Sequence, residues 1–304
     1  MGRTTVAAQL GLALAERGKR VLVATTGHDD RLAWMLDRPA LSAVATPIHP
    51  RLWIQRLVPA DCLREYGSMA LHSRRLSKLV FGNRVVRRLL DAVPGVDDFA
   101  VLGKVWHEAI CGTQFDVVIF DGPATGHLRL ALGVPSAIVD TVFEGPLATE
   151  AARIKAALED PEVTAAVLVS VAERWPLTEL AELATALERP LGVGVGALVI
   201  NKLWPASLPA LDLEEDGEME RTRLKDPALA EAARVVEGSC RRGRRQRAEL
   251  DAWLEQHRGA SWLAAGRLEL PWVPGGLESR EALLGSLRSL RWVPTITANR
   301  HAPQ

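Results

Sequence analysis

The chain has 304 residues, 48% of them hydrophobic, enough to bury a substantial core within one large domain. Acidic and basic residues balance at 37 each, so no global field points to nucleic acid or to an anionic membrane surface. The 3 cysteines, Cys62, Cys111 and Cys240, form no C-x-x-C, and with no secretory signal and no bilayer-length apolar run they predict reduced thiols in a cytoplasmic protein.

The first five residues, Met1-Gly2-Arg3-Thr4-Thr5, run straight into an Ala/Leu-rich helix predicted over 5–17, with Gly18 as its stop. Gly-basic-Thr-Thr ahead of a helix is the back half of a phosphate-binding loop, G-x-x-x-x-G-K-[ST]. In that pattern Gly2 is the last glycine, Arg3 stands for the lysine and Thr4 is the magnesium-binding hydroxyl. Val21–Thr25 is a continuous apolar run, the mark of a parallel strand buried on both faces. A helix leading into such a strand implies an earlier strand in a βαβ unit, so a first strand is expected to be missing. The polar loop from Thr25 to Leu32 falls at the carboxyl end of the sheet, where ligands bind in such folds.

Residues 33–111 read as helical, without convincing strands, and are expected to form an inserted helical subdomain. Arg74, Arg75, Lys78, Arg84, Arg87 and Arg88 there suit the solvated faces of amphipathic helices, and Pro94-Gly95 marks a turn. Phe115–Asp121 is the next buried strand, ending on a carboxylate and running into Gly122-Pro123-Ala124-Thr125-Gly126-His127. A helix is predicted over 147–158, a strand over 163–171 and a helix over 176–187. A further strand, Gly196–Ile200, delivers Asn201-Lys202 at its carboxyl end. The preceding G-x-G-x-G lies before a strand and not after one, which excludes a dinucleotide fingerprint.

Residues 205–227 form a polar, acidic linker expected to be mobile. A long helix over 227–257 carries Arg241, Arg242, Arg244, Arg245 and Arg247, read as a solvated face given the neutral whole. Leu268–Pro271 is a last short strand, 278–290 a closing helix and 291–304 a loose tail. The expected architecture is therefore α/β, a mostly parallel sheet with helices on both faces, in a single domain over 1–304.

In this order the pieces resemble the arsenite-pump (ArsA-like) ATPase family, which includes the ATPase that targets tail-anchored membrane proteins. The matching residues are Gly2-Arg3-Thr4-Thr5, Thr125-Gly126-His127 after Asp121, Val167–Glu173, and Asn201-Lys202. Gly103–Glu108 is similar to the end of the family's inserted subdomain. The D-x-x-x-T-G-H element is the most specific of these. The resemblance implies a P-loop NTPase fold and an ATP- and Mg2+-dependent homodimer switch. It implies that Gly2, Arg3, Thr4 and Thr5 hold the β-phosphate, that Thr4 and Asp121 serve magnesium, and that Gly122 to His127, including Thr125 and Gly126, sense the γ-phosphate. Asn201 and Lys202 would recognise adenine, flanked by the Pro271 loop.

Laid on the family loop G-K-G-G-V-G-K-T-T, Met1 falls on the valine. A GUG codon can initiate as methionine, so an upstream strand and Gly-Lys-Gly-Gly are expected ahead of residue 1. Three departures bear on turnover. Arg3 keeps the charge of lysine but not its shape. Gly27 stands where the family's first switch has the aspartate that positions water, with Asp29 or Asp30 as shifted substitutes. The lysine that crosses the dimer interface falls in the upstream segment. Slow hydrolysis, or a degenerate nucleotide-binding or scaffold protein without turnover, is the alternative expectation. No cargo is legible: Met35 and Met69 are too few for an apolar groove, and arsenite needs clustered thiolates, whereas Cys62 and Cys111 in the insert read as buried free cysteines.

Overall fold

The computed structural model describes residues 2–70, 95–207, 227–287 and 291–293. Helix α1 (Arg3–Glu16) starts at Gly2, whose left-handed φ of 93° needs a residue without a side chain. It ends in a Schellman motif: Gly18 N–H donates to the Ala15 carbonyl and Lys19 N–H to that of Leu14. Strand β1 (Val21–Thr25) follows and is buried at every position. That burial has a topological cause, because β1 is central. It pairs in parallel with β3 (Leu52–Arg56) on one side and β4 (Val117–Asp121) on the other. The register sets Thr25 opposite both Arg56 and Asp121, so three polar side chains meet at the carboxyl end. At the amino end Arg20 clamps Asp116 at 2.6 Å and holds its carboxyl down to about 2.

Between β1 and β4 lie α2 (Arg31–Met35), β2 (Thr46–His49), α3 (Pro59–Ala70) and α4 (Val96–Trp106), which runs into a π-helical turn over His107–Cys111. The all-helical expectation for 33–111 is thus corrected. Leu52 and Ile54 alternate at the strand period and are buried, which makes β3 a sheet member, while β2 pairs antiparallel at the edge. The basic residues from Arg74 to Arg88 lie outside the described residues.

After β4 come α5 (Thr125–Thr141) and α6 (Pro146–Glu159), then β5 (Ala166–Val171), α7 (Arg174–Glu188) and β6 (Val195–Leu203). The long helix α8 (Pro227–Gln256), β7 (Arg267–Pro271), α9 (Arg280–Leu287) and β8 (Arg291–Val293) complete the chain. The mostly parallel α/β architecture is observed, but in two four-stranded sheets, β2-β3-β1-β4 and β5-β6-β7-β8. Residues 291–293, expected in a loose tail, pair antiparallel with β7. Of the expected linker, residues 208–226 lie outside the described residues, as do 294–304 of the tail.

Helix α1 joins the two sheets. Its Ala8 and Leu12 pack with Val21, Val23 and Leu52 of the first, while Val6 packs with Val199 and Leu270 of the second. A Cβ at Gly11 would come 2.7 Å from the Val23 methyl, so the helix lies directly on β1. Helix propensity alone favours Gly11→Ala by about 1 kcal/mol. Overpacking against a stiff β-branched neighbour costs about 1–3 kcal/mol. We expect the second effect to win: the substitution should lower the urea midpoint at unchanged slope.

Candidate functional site

The carboxyl ends of β1, β4 and β6 and the start of α1 converge at one place. There the Thr4 hydroxyl donates to the Asp121 carboxylate at 2.7 Å. The Thr25 hydroxyl reaches the same oxygen at 3.5 Å and accepts from the Gly27 N–H at 3.1 Å. On the opposite side, a Cβ at Gly2 would come 2.3 Å from the Asn201 amide nitrogen, so Gly2 is pressed against the carboxyl-terminal part of β6. Thr4, Asp121 and Asn201, far apart in sequence, are thus gathered around the N-terminus of α1. That terminus has no side-chain cap, and its first amide groups are oriented to receive an anion.

A cleft of about 650 Å³ opens beside this point. Arg3, Thr4, Thr25, Asp29, Asp121 and His127 line it, together with Asp97 and Asp98 from the first turn of α4. The Arg3 guanidinium donates to the Pro123 carbonyl, tying the start of α1 to the loop after β4. Asp121 is only 8% exposed. Burial pushes its carboxyl up from the usual range, and Asp29 adds to this, against the hydrogen bond from Thr4, the charge of Arg3 and the bond from Thr25. A buried, incompletely compensated carboxylate beside a hydroxyl is a donor pair that suits a hard divalent cation. Among the described residues no group of three or more His, Cys, Asp or Glu could hold a metal, so such an ion would take its remaining ligands from water and phosphate oxygens.

The other expected residues fall as follows. Asp29 lines the cleft, whereas Asp30 is turned away, ion-paired with Arg56 at 2.7 Å and accepting from the Leu41 N–H. The Thr5 hydroxyl points to the Met35 sulfur, not into the cleft. Thr125, Gly126 and His127 form the first turn of α5 rather than a loop. His127 is held by Asp98 at 3.0 Å. A Cβ at Gly122 would crowd Leu128 and Phe120, while one at Gly126 would meet nothing within 4 Å. Lys202 is exposed, and its N–H donates to the Asn201 side-chain oxygen. Pro271 is exposed at the end of β7, level with Leu203. Sequence reading missed Thr25, whose signal was its place at the tip of the strand beside Asp121. It also missed Asp98, which carries no local signal. Cys62 is buried and its thiol is pushed up to about 11, first by burial, so it stays protonated at neutral pH.

Residues 1–145 match the family model described as anion-transporting ATPase. The chain is similar to the ATPase BagA of Mycobacterium tuberculosis, 24% identical across 95% of this chain and 88% of that protein. It is 26% identical to an arsenical pump-driving ATPase of Escherichia coli across 68% of this chain, and 27% identical to that of Acidiphilium multivorum across 67%. Those two matches span 38% of each pump protein.

The raised Asp121 carboxyl has a consequence for stability. A folded-state value above the unfolded one favours the protein at low pH, and that contribution is lost as pH rises through the folded value. Without ligand, Asp121→Asn should therefore melt a few degrees higher than wild type at pH 7. The difference should shrink as pH falls towards about 4. Thermal melts followed by circular dichroism across that range check both the sign and the trend.

Proposed function

We propose that this chain, an ArsA-like P-loop protein, binds ATP with magnesium at the N-terminus of α1 and hydrolyses it. The observation that carries this is the Thr4–Asp121 contact: a helix-start hydroxyl and a strand-end carboxylate, 117 positions apart, meet at 2.7 Å. Uncapped amides and Arg3 supply positive potential for the phosphates. Thr4 and Asp121 would hold the magnesium ion, the first directly and the second through its water shell. The ion supplies charge neutralisation on the phosphate oxygens.

The chain's own residues divide the remaining work. Asp29, in the same cleft, accepts a hydrogen bond from water and orients it, in place of the aspartate that Gly27 lacks. Asp98 accepts from the His127 Nε2–H and so fixes the orientation of the imidazole at the first turn of α5, beside the cleft. Arg3 couples the phosphate end to Pro123 and hence to the loop that leads into α5. In keeping with the resemblance, two copies are proposed to close around nucleotide and reopen after hydrolysis. Asn201, with the strand ends at Lys202 and Pro271, takes the nucleoside side.

One observation favours a second reading, nucleotide binding without turnover. Arg3 spends a donor on a backbone carbonyl, and Asp30 is fully engaged by Arg56, so only one of the two substitute carboxylates reaches the cleft.

Steady-state phosphate release with MgATP tests the proposal. Turnover should require magnesium, and Asp121→Asn should lower it about 10–100-fold. Uptake of MgATP without phosphate release would select the second reading. No uptake by calorimetry would overturn both.

A further inference from the structure

The charges that cancel over the whole chain are unevenly placed along it. In α8 the run Arg241-Arg242-Gly243-Arg244-Arg245-Gln246-Arg247 carries five arginines in seven positions. The helix turns Cys240, Gly243, Gln246, Leu250 and Trp253 inward, at the three- and four-residue spacing of a buried stripe. Three of the arginines hold it there. Arg242 pairs with Glu173 at 3.2 Å, Arg247 pairs with the buried Glu269 at 2.9 Å, and Arg244 donates to the Ala206 carbonyl at 3.2 Å. Arg241 and Arg245 lie one turn apart on the outward face. Both are exposed, and among the described residues neither forms an ion pair.

The chain that leads into α8 passes close to these two side chains. Pro205 is pressed against the middle of the helix, where a Cβ at Gly243 would run into the Pro205 carbonyl. The chain rejoins at Pro227, the first residue of α8, about 24 Å away along the axis at 1.5 Å per residue. Both ends of the segment 208–226 are therefore fixed to one helix. Within that segment Asp212, Glu214, Glu215, Asp216, Glu218 and Glu220 fall in nine positions, with no basic residue among them. Asp212 follows Ser207 by five residues, a reach of at most about 17 Å. Arg241 and Arg245 lie within about one helix turn of the level of Gly243, well inside that reach.

We propose that Arg241 and Arg245, with Arg244 beside them, dock the acidic stretch 212–220 of this same chain. Charge complementarity selects it, and the tether supplies it at an effective concentration of about millimolar. Arginine suits the task, since its planar fork takes a carboxylate with two donors. Exposed pairs of this kind add little to stability. Their effect is on binding: a face that would otherwise attract polyanions is kept from them, because an outside polyanion must first displace the tethered stretch. This inference is independent of the nucleotide reading.

Titration of the full chain with a heparin oligosaccharide, a polyanion, tests it. Replacing the six acids by their amides (Asp212→Asn, Glu214→Gln, Glu215→Gln, Asp216→Asn, Glu218→Gln and Glu220→Gln) should tighten heparin binding about 10-fold or more over wild type. Adding Arg241→Ser with Arg245→Ser should bring the affinity back to that of wild type. Adding Arg17→Ser with Arg189→Ser instead, which removes the same charge at exposed positions elsewhere, should leave the gain in place. No gain on neutralising the acids would overturn the proposal, and tight binding by wild type itself would then mark the face as open to an outside polyanion. Equal reversal by the two arginine pairs would overturn it as well, because the gain would then be one of net charge alone.

Discussion

The site depends on the contact between the Thr4 hydroxyl and the Asp121 carboxylate. Neither residue could be placed by its own neighbours. Asp121 is where it is because β4 runs parallel to β1 in a register that ends both strands together, at Thr25 and Asp121. Thr4 is where it is because α1 lies so closely on β1 that Gly11 leaves no room for a side chain. A polar contact of this kind is therefore a readout of the apolar packing beneath it. Loosening α1 on the sheet would separate the two oxygens before it unfolded the chain.

Helix α1 also ties the two sheets together, and this gives the site its second half. Val6 packs on Val199 and Leu270, while Ala8 and Leu12 pack on the first sheet. The same helix start can thus face Asp121 on one flank and Asn201 on the other. The first flank is charged and opens into the cleft. The second is set by the Asn201 amide near the end of β6.

Much of this was legible in the sequence where local patterns carry it. Val21–Thr25 and the run ending at Asp121 announced parallel strands through uninterrupted apolar character, and Gly18 announced the helix stop. What escaped depended on partners distant in sequence. Strand β3 is five residues long and its neighbour β2 contains Pro47, so neither stands out until β1 is there to pair with. Helix α5 was hidden by Gly126, Gly133 and Pro135, which break the helical pattern that tertiary packing restores. Asp98 belongs to the cleft only because α4 returns to it.

The charge distribution in the cleft sets a further condition on what can enter. Asp29, Asp97, Asp98 and Asp121 line it together, and Arg3 is the one arginine or lysine of the lining among the described residues. Against these four carboxylates, Arg3 and the helix dipole alone would leave a bare polyphosphate poorly balanced. A divalent cation, on the proposed reading, would reverse the balance, because it would attract the phosphates and lower the cost of keeping Asp121 ionised in its buried place. On that reading the cation and the polyphosphate would stabilise each other in the cleft. Arg3 would then have a role that a lysine would fill differently: its planar fork holds the Pro123 carbonyl with one donor and keeps others that could serve phosphate oxygens.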